Sequence, residues 1–155
     1  MLVKPDAFIL DTDGTTSLHT AAERGHYEYS KVSNDRPNLP IIDLAVMMAR
    51  EMKPLVVTGR MDVDNCRIDT VAWYRDYFPD WFCNDMLLFM RPARLLDGKP
   101  DYRPDYIVKK EIYDRYIRDR FNTRYAVDDR LQVCRMWHHE LNLPVLRVGD
   151  PDAVF

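Results

Sequence analysis

Short apolar runs recur along the chain, and each one stops at a polar cluster. AFIL ends at Asp11, PLVV at Thr58, MLLFM at Arg91, YAV at Asp128, and PVLRV at Gly149-Asp150. Each run is strand-length, and all but the closely spaced last two are separated by stretches that can hold a helix. Four stretches carry apolar residues at helical spacing: PIIDLAVMMAREM from Pro40, CRIDTVAWYRDYF from Cys66, DYIVKKEIYDRYI from Asp105 and RLQVCRMWHHELNL from Arg130. Parallel strands need long crossovers, and crossover helices land on the faces of the sheet. The pattern therefore predicts a Rossmann-like α/β fold, a parallel sheet with helices on both faces. Ligands of such open sheets bind beyond the carboxyl ends of the strands. That is where the polar clusters collect.

With 155 residues, the chain is long enough for one domain that buries roughly 70% of its unfolded surface. We read 1–155 as a single domain with two insertions near the functional edge. The first is 16–39, and the second is 61–104, which holds a helix, a strand and the loop-like RPARLLDGKPDYRP. Long segments beside such an edge often serve as lids or substrate loops. No apolar run approaches the ~18 residues of a membrane span. The N-terminus, MLVKPDAFIL, passes from a short polar start straight into a strand and lacks the build of a signal peptide. The three cysteines are far apart and form no C-x-x-C pair, as expected of free thiols in a reducing cytoplasm.

A net charge of −3 argues against a protein that coats nucleic acid without specificity. The charge is uneven, however: residues 91–124 carry 10 Lys/Arg against 6 Asp/Glu. With Tyr102, Tyr106, Tyr113 and Tyr116 interleaved, that stretch could follow a phosphate backbone or stack on a base. The plainer reading is a solvated helix face.

The first cluster, FILDTDGTT, places Asp11 and Asp13 two residues apart at a strand end. Like charges so close need a counter-charge, and a hard divalent cation such as Mg²⁺, which takes oxygen ligands, fits. Strand YAV delivers Asp128 and Asp129 to the same edge, so Asp11, Asp13, Asp128 and Asp129 are the expected metal site. Thr58-Gly59-Arg60 follows strand LVV and is expected to offer a hydroxyl and backbone N–H groups at a helix N-terminus, where phosphate binds well. Lys109 lies four residues after Asp105 on one predicted helix, an order in which the acid would hold the lysine in place. Together these features point to phosphoryl transfer.

At these residues the chain resembles a known family. DTDGT at 11–15, VVTGR at 56–60, Lys109 on its helix and VDDR at 127–130 follow the order of the four motifs of the haloacid dehalogenase (HAD) superfamily of phosphatases. ERGHYEYSKV (23–32), DYIVKKEIYDRYI (105–117) and YAVDDRLQVCRMWHHELNLPV (125–145) are similar to the 3′-phosphatase domain of phage polynucleotide kinase-phosphatase. Residues 61–100 match least. The resemblance implies a HAD fold with small cap insertions, which leaves the site open to a strand end. It implies Asp11 as nucleophile through an aspartyl-phosphate, and Asp13 as the acid and then base, its pKa raised by neighbouring negative charge. It also implies Thr58 and Lys109 as holders of the transferring oxygens, and Arg24, Arg60 and Asp105 as further functional residues. Mg²⁺ is the implied cofactor, and the implied substrate is the 3′-phosphorylated end of DNA or RNA, or a 2′,3′-cyclic phosphate.

Two departures bear on this. Thr58 stands where the phage enzyme has serine, which keeps the hydroxyl. No G-x-x-x-x-G-K-[ST] is present, so a separate kinase or ligase is the expected partner, and the initiating Met favours a free-standing phosphatase. One alternative is a phosphatase of small phosphomonoesters such as nucleotides. Another is a non-enzymatic phospho-acceptor domain, which Asp13 argues against because an acid beside the acceptor would activate water. The adjacent His138-His139-Glu140 point ~100° apart on a helix and are no metal cluster. His19 and His26 are expected on the loop surface. Met47, Met48, Met52, Trp73, Trp81 and Trp137 are expected in the core, and Tyr27 and Tyr29 are candidates to stack on a base.

Overall fold

The computed structural model describes residues 3–154; the first two residues of the polar N-terminal start and Phe155 lie outside them. β1 (Asp6–Leu10) leads into a short antiparallel pair, β2 (Ser17–Leu18) and β3 (Arg36–Pro37), and then α1 (Leu39–Met48). β4 (Lys53–Met61), α2 (Cys66–Tyr77), α3 (Asp80–Asp85) and β5 (Leu87–Arg91) follow. The chain closes with α4 (Asp105–Ile112), β6 (Asn122–Asp128), α5 (Leu131–Arg135) and β7 (Val145–Arg147). Each of the last two helices runs on into a π-helical turn, Tyr113–Ile117 and Met136–Glu140.

Five strands form one parallel sheet in the order β5-β4-β1-β6-β7. Its pleat sorts the side chains. From β1, Ala7 and Ile9 face one layer with Leu55 and Val57, packed on Val108, Ile112, Met136 and Trp137 of the last two helical segments. Phe8 and Leu10 face the other with Val56, packed on Ile42, Trp73, Tyr74 and Phe82 of the first three helices. A strand buried on both faces reads as a continuous apolar run, and AFIL is one. Burying each large side chain contributes ~1.5–3 kcal/mol. Register sets the functional edge: Leu10 pairs with Val56 on one side and Val127 on the other. The Asp11 N–H donates to the Val127 carbonyl (3.0 Å), which seats Asp11 beside Asp128.

Several expectations need correction. The 61–104 segment is mostly regular, with β5 in the main sheet and α2 and α3 before it; 62–65 and 92–104 are irregular. Thr58-Gly59-Arg60 does not open a helix. β4 continues through Met61, because β5 runs alongside it as far as Arg91, and α2 starts only at Cys66. The basic stretch 91–124 does not present one aromatic face: Tyr113 is buried in the core, whereas Tyr102 and Tyr116 are exposed. Met47 and Trp81 are exposed rather than in the core. His19 is only partly exposed, its imidazole beside Asp35. No helix among the described residues is long and apolar enough to cross a membrane.

Candidate active site

Asp11 follows β1 and is almost wholly buried. Both of its carboxylate oxygens are engaged by the chain's own donors. Lys109, from α4, donates to Oδ1 (2.6 Å), and the Thr15 hydroxyl donates to Oδ2 (2.8 Å). The same ammonium donates to Asp128 Oδ2 (2.7 Å), which also accepts from the Trp137 indole (3.3 Å). Burial opposes a charge on Lys109, but the Asp11 and Asp128 carboxylates outweigh it and strengthen its hold on the proton.

One lysine cannot balance three acids. Burial raises the Asp11 pKa well above the carboxylate range, and Asp128 and Asp129 add to the rise against the pull of Lys109. Burial, with the Asp128 charge behind it, pushes Asp129 up to about 6. Carboxylate oxygens of Asp11, Asp128 and Asp129 lie within 4.8 Å of one another. This all-oxygen, electron-rich set fits a hard dication such as Mg²⁺. Gly14 makes room for it: at φ +82, a Cβ on Gly14 would stand 2.1 Å from Asp129 Oδ2.

Asp13 faces a different environment. Arg60 reaches its two oxygens with Nη2 (2.8 Å) and Nε (3.0 Å), and Arg24 adds Nη2 (2.8 Å). Both guanidiniums are also held by buried Asp35, through Arg24 Nε and Nη2 (2.7 Å each) and Arg60 Nη2 (2.8 Å). Burial alone would raise the Asp13 pKa, yet Arg60 and then Arg24 hold it well below the usual carboxylate range. The expected elevation by neighbouring negative charge is therefore reversed. Folding brings two cations, not the acidic trio, against this side chain.

Behind β4, the Thr58 hydroxyl accepts the Arg60 N–H (3.2 Å). Gly59 packs so closely on Asp105 that a Cβ would lie 2.7 Å from its Oδ1. Asp105 does not bond Lys109. It pairs with buried Arg91 and with Arg130 (2.9 Å). Lys109 still acts on it at a distance: burial raises the Asp105 pKa, and the charges of Lys109, Arg130 and Arg91 more than reverse this. Arg91 also ties the loop to β4, donating to the carbonyls of Gly59 (2.9 Å) and Arg103 (2.6 Å).

These groups surround one narrow cleft of about 10 Å³. Asp11, Asp13, Gly59, Arg60, Asp105, Lys109 and Asp129 line it, with His26, Tyr29 and Arg130 at the outer side. Arg24, Thr58 and Asp128 stand behind the wall, bonded to Asp13, the Arg60 N–H and Lys109 respectively. The sequence reading did not single out Thr15, Asp35, Arg91 or Arg130. Thr15 and Arg130 sit inside quoted motifs and were within reach. Asp35 carries no local signal, and Arg91 shows in the sequence only as the polar end of MLLFM; only the fold sets them against arginine and carboxylate.

Comparison with known proteins shows the family and the fold. The family described as polynucleotide kinase PNKP phosphatase domain matches residues 5–153. A protein of Autographa californica nuclear polyhedrosis virus, named as a bifunctional polynucleotide kinase/RNA ligase, is 31% identical over 145 residues, 92% of this chain and 19% of that protein. A chain of the solved Pnkp1/Rnl/Hen1 RNA repair complex superposes with a TM-score of 0.81 at 31% identity, covering 97% of this chain and 44% of its own length. A second chain, from a solved Pnkp1/Rnl/Hen1 complex, gives 0.81 at 33% identity, with 97% and 47% covered. The chain thus spans under half the length of each of these relatives.

Proposed function

The chain belongs to the family of polynucleotide kinase PNKP phosphatase domains, and from that premise we propose that it removes the 3′-terminal phosphate from DNA or RNA ends, and by extension processes a 2′,3′-cyclic phosphate. The observation that carries this reading is the placement of Asp11, held by Lys109 within the acidic set of Asp128 and Asp129, with Asp13 two residues on and lining the same cleft. A carboxylate can form a covalent phosphoryl intermediate where a second carboxyl is in reach to move the proton.

In the proposed reaction, Asp11 Oδ bonds to phosphorus as the bond to the sugar oxygen breaks, and Asp13 delivers the proton to that oxygen. Asp13 rests as a carboxylate between two guanidiniums. A phosphate entering beside it adds negative charge, which raises its proton affinity, so Asp13 takes up its proton as substrate binds. Water then attacks phosphorus, Asp13 accepts its proton, and Asp11 is freed as inorganic phosphate leaves. Lys109 and the β4 backbone around Gly59 hold the transferring oxygens throughout. Asp11, Asp128 and Asp129 would hold Mg²⁺, which supplies neutralisation of charge on the phosphoryl group when bound. A kinase or ligase acting beside this phosphatase would complete end repair. The fusion in the viral relative and the assembly named for the solved complexes support that reading.

The test is phosphate release from a 3′-phosphorylated oligonucleotide, a 5′-phosphorylated one and a mononucleotide, each with Mg²⁺ or chelator. We expect metal-dependent release that favours the 3′ end and vanishes in Asp11→Asn. Equal or better turnover of the mononucleotide would keep the chemistry and overturn the polynucleotide assignment. Stable phosphate incorporation without release would overturn the enzyme.

A further inference from the structure

A second groove, of about 550 Å³, opens beside the catalytic cleft. Tyr29 lines both and is their common wall. The groove's walls come from the loop after β2, from Met61, Val63 and Asp64 at and just after the end of β4, and from residues 93–102. Tyr27 and Tyr102 stand on the rim, 48% and 61% exposed, with ring centroids 5.1 Å apart and planes at 68°. Tyr27 also packs edge-to-face on His26 (4.7 Å) and Tyr29 (6.4 Å), so the more exposed Tyr102 offers the larger open surface of the pair. Pro100 and Met61 add apolar wall, and Arg94 donates only to the Gly98 carbonyl (2.7 Å) and pairs with no carboxylate among the described residues. The two acids nearby do not contradict an anionic ligand along the Arg94 side. Glu28 is paired with Lys31 (2.9 Å), and Asp64 follows β4, on a different segment from Arg94. The Tyr29 hydroxyl is buried with no hydrogen-bond partner of good geometry among the described residues, which leaves a donor at the junction of the two spaces.

We propose that this groove binds the unpaired nucleotides immediately 5′ to the terminal phosphate, with bases on Tyr27 and Tyr102 and the adjoining phosphodiester at Arg94. The proposal rests on the polynucleotide reading above and adds the device that separates a strand end from a small phosphomonoester. Exposed aromatic faces beside an unpaired arginine are the chemistry that single-strand binding uses, and every base offers a face to stack. Bases engaged this way are unstacked from a complement, so a single-stranded end is preferred to a blunt duplex end.

Two measurements test it. The first is fluorescence anisotropy of a labelled oligothymidylate ending in a 3′-hydroxyl, titrated with wild type, Tyr27→Ala, Tyr102→Ala and the double variant. The second is the ratio of kcat/KM for a 3′-phosphorylated oligothymidylate to that for p-nitrophenyl phosphate in the same proteins. Each single variant is expected to weaken binding about tenfold and to lower the ratio similarly, through KM. Tyr116→Ala, an exposed tyrosine outside the groove, is expected to leave both readouts at wild-type values. Unchanged binding in the double variant overturns the groove, as does a wild type that does not bind the oligonucleotide. Binding that the variants lose, with no release from any oligonucleotide, upholds the groove and overturns the polynucleotide phosphatase reading instead.

Discussion

Opposite charge environments imposed on neighbouring acids account for most of what the site residues do. Asp11 and Asp13 are two positions apart on one turn, yet one meets two carboxylates and a lysine while the other meets two arginines. Gly14 allows that divergence, because the turn needs a positive φ and the Asp129 carboxylate occupies the space a Cβ would take. Gly14→Ala is expected to cost ~1–2 kcal/mol for the left-handed backbone and to push Asp129 out of the acidic trio. Its activity should need more Mg²⁺ for half-saturation than wild type. A metal titration followed by phosphate release checks this, and an unchanged requirement would show that Asp129 is not placed by the glycine. The paired acids and the glycine are visible in the sequence. Arg24 and Arg60 are named by the family resemblance, but their place against Asp13 is not visible, because Arg24, Asp35 and Arg60 are far apart in the chain and only folding makes them neighbours.

Among the elements, the loop 92–104 is held in place by charge. Asp101 is buried and accepts from the Arg103 backbone N–H (3.2 Å), Nε (2.9 Å) and Nη2 (2.8 Å), while Arg91 donates to its carbonyl (3.1 Å). The Arg103 hydrogen bonds hold the Asp101 carboxyl below its usual pKa against the effect of burial. A depressed folded-state pKa means the stabilisation is fully present above the unfolded value and is lost as pH falls through that value toward the folded one. Asp101→Asn should therefore be less stable than wild type by ~1–3 kcal/mol at neutral pH, and the gap should narrow below pH ~4. Urea unfolding at several pH values measures it; a gap that widens in acid would refute the assignment. The strands and the long helices were legible at this scale, because a buried parallel strand needs a continuous apolar run and an amphipathic helix needs its period. The extension of β4 through Thr58-Gly59-Arg60 was not, since it depends on pairing with β5 rather than on local propensity.

Taken as a whole, the molecule is a sheet with two separate apolar layers. Ile42 sits in one and Ile112 in the other. Ile42→Ala and Ile112→Ala are each expected to cost ~2–5 kcal/mol, and the double variant should equal their sum within ~0.5 kcal/mol because the sites share no partner. Chemical denaturation of the three variants checks this, and strong non-additivity would mean the layers are coupled through the sheet. The chain alone determined the layered α/β architecture, the edge where the polar clusters gather, and the acids that carry the proposed chemistry. Those follow from periodicity and strand ends, which are local. Tertiary structure decided which charge meets which: Lys109 with Asp11 and Asp128, Arg91 and Arg130 with Asp105, and Arg24 and Arg60 with Asp13. It did so because electrostatic environment depends on distance in space and on burial, and neither is set by separation along the chain.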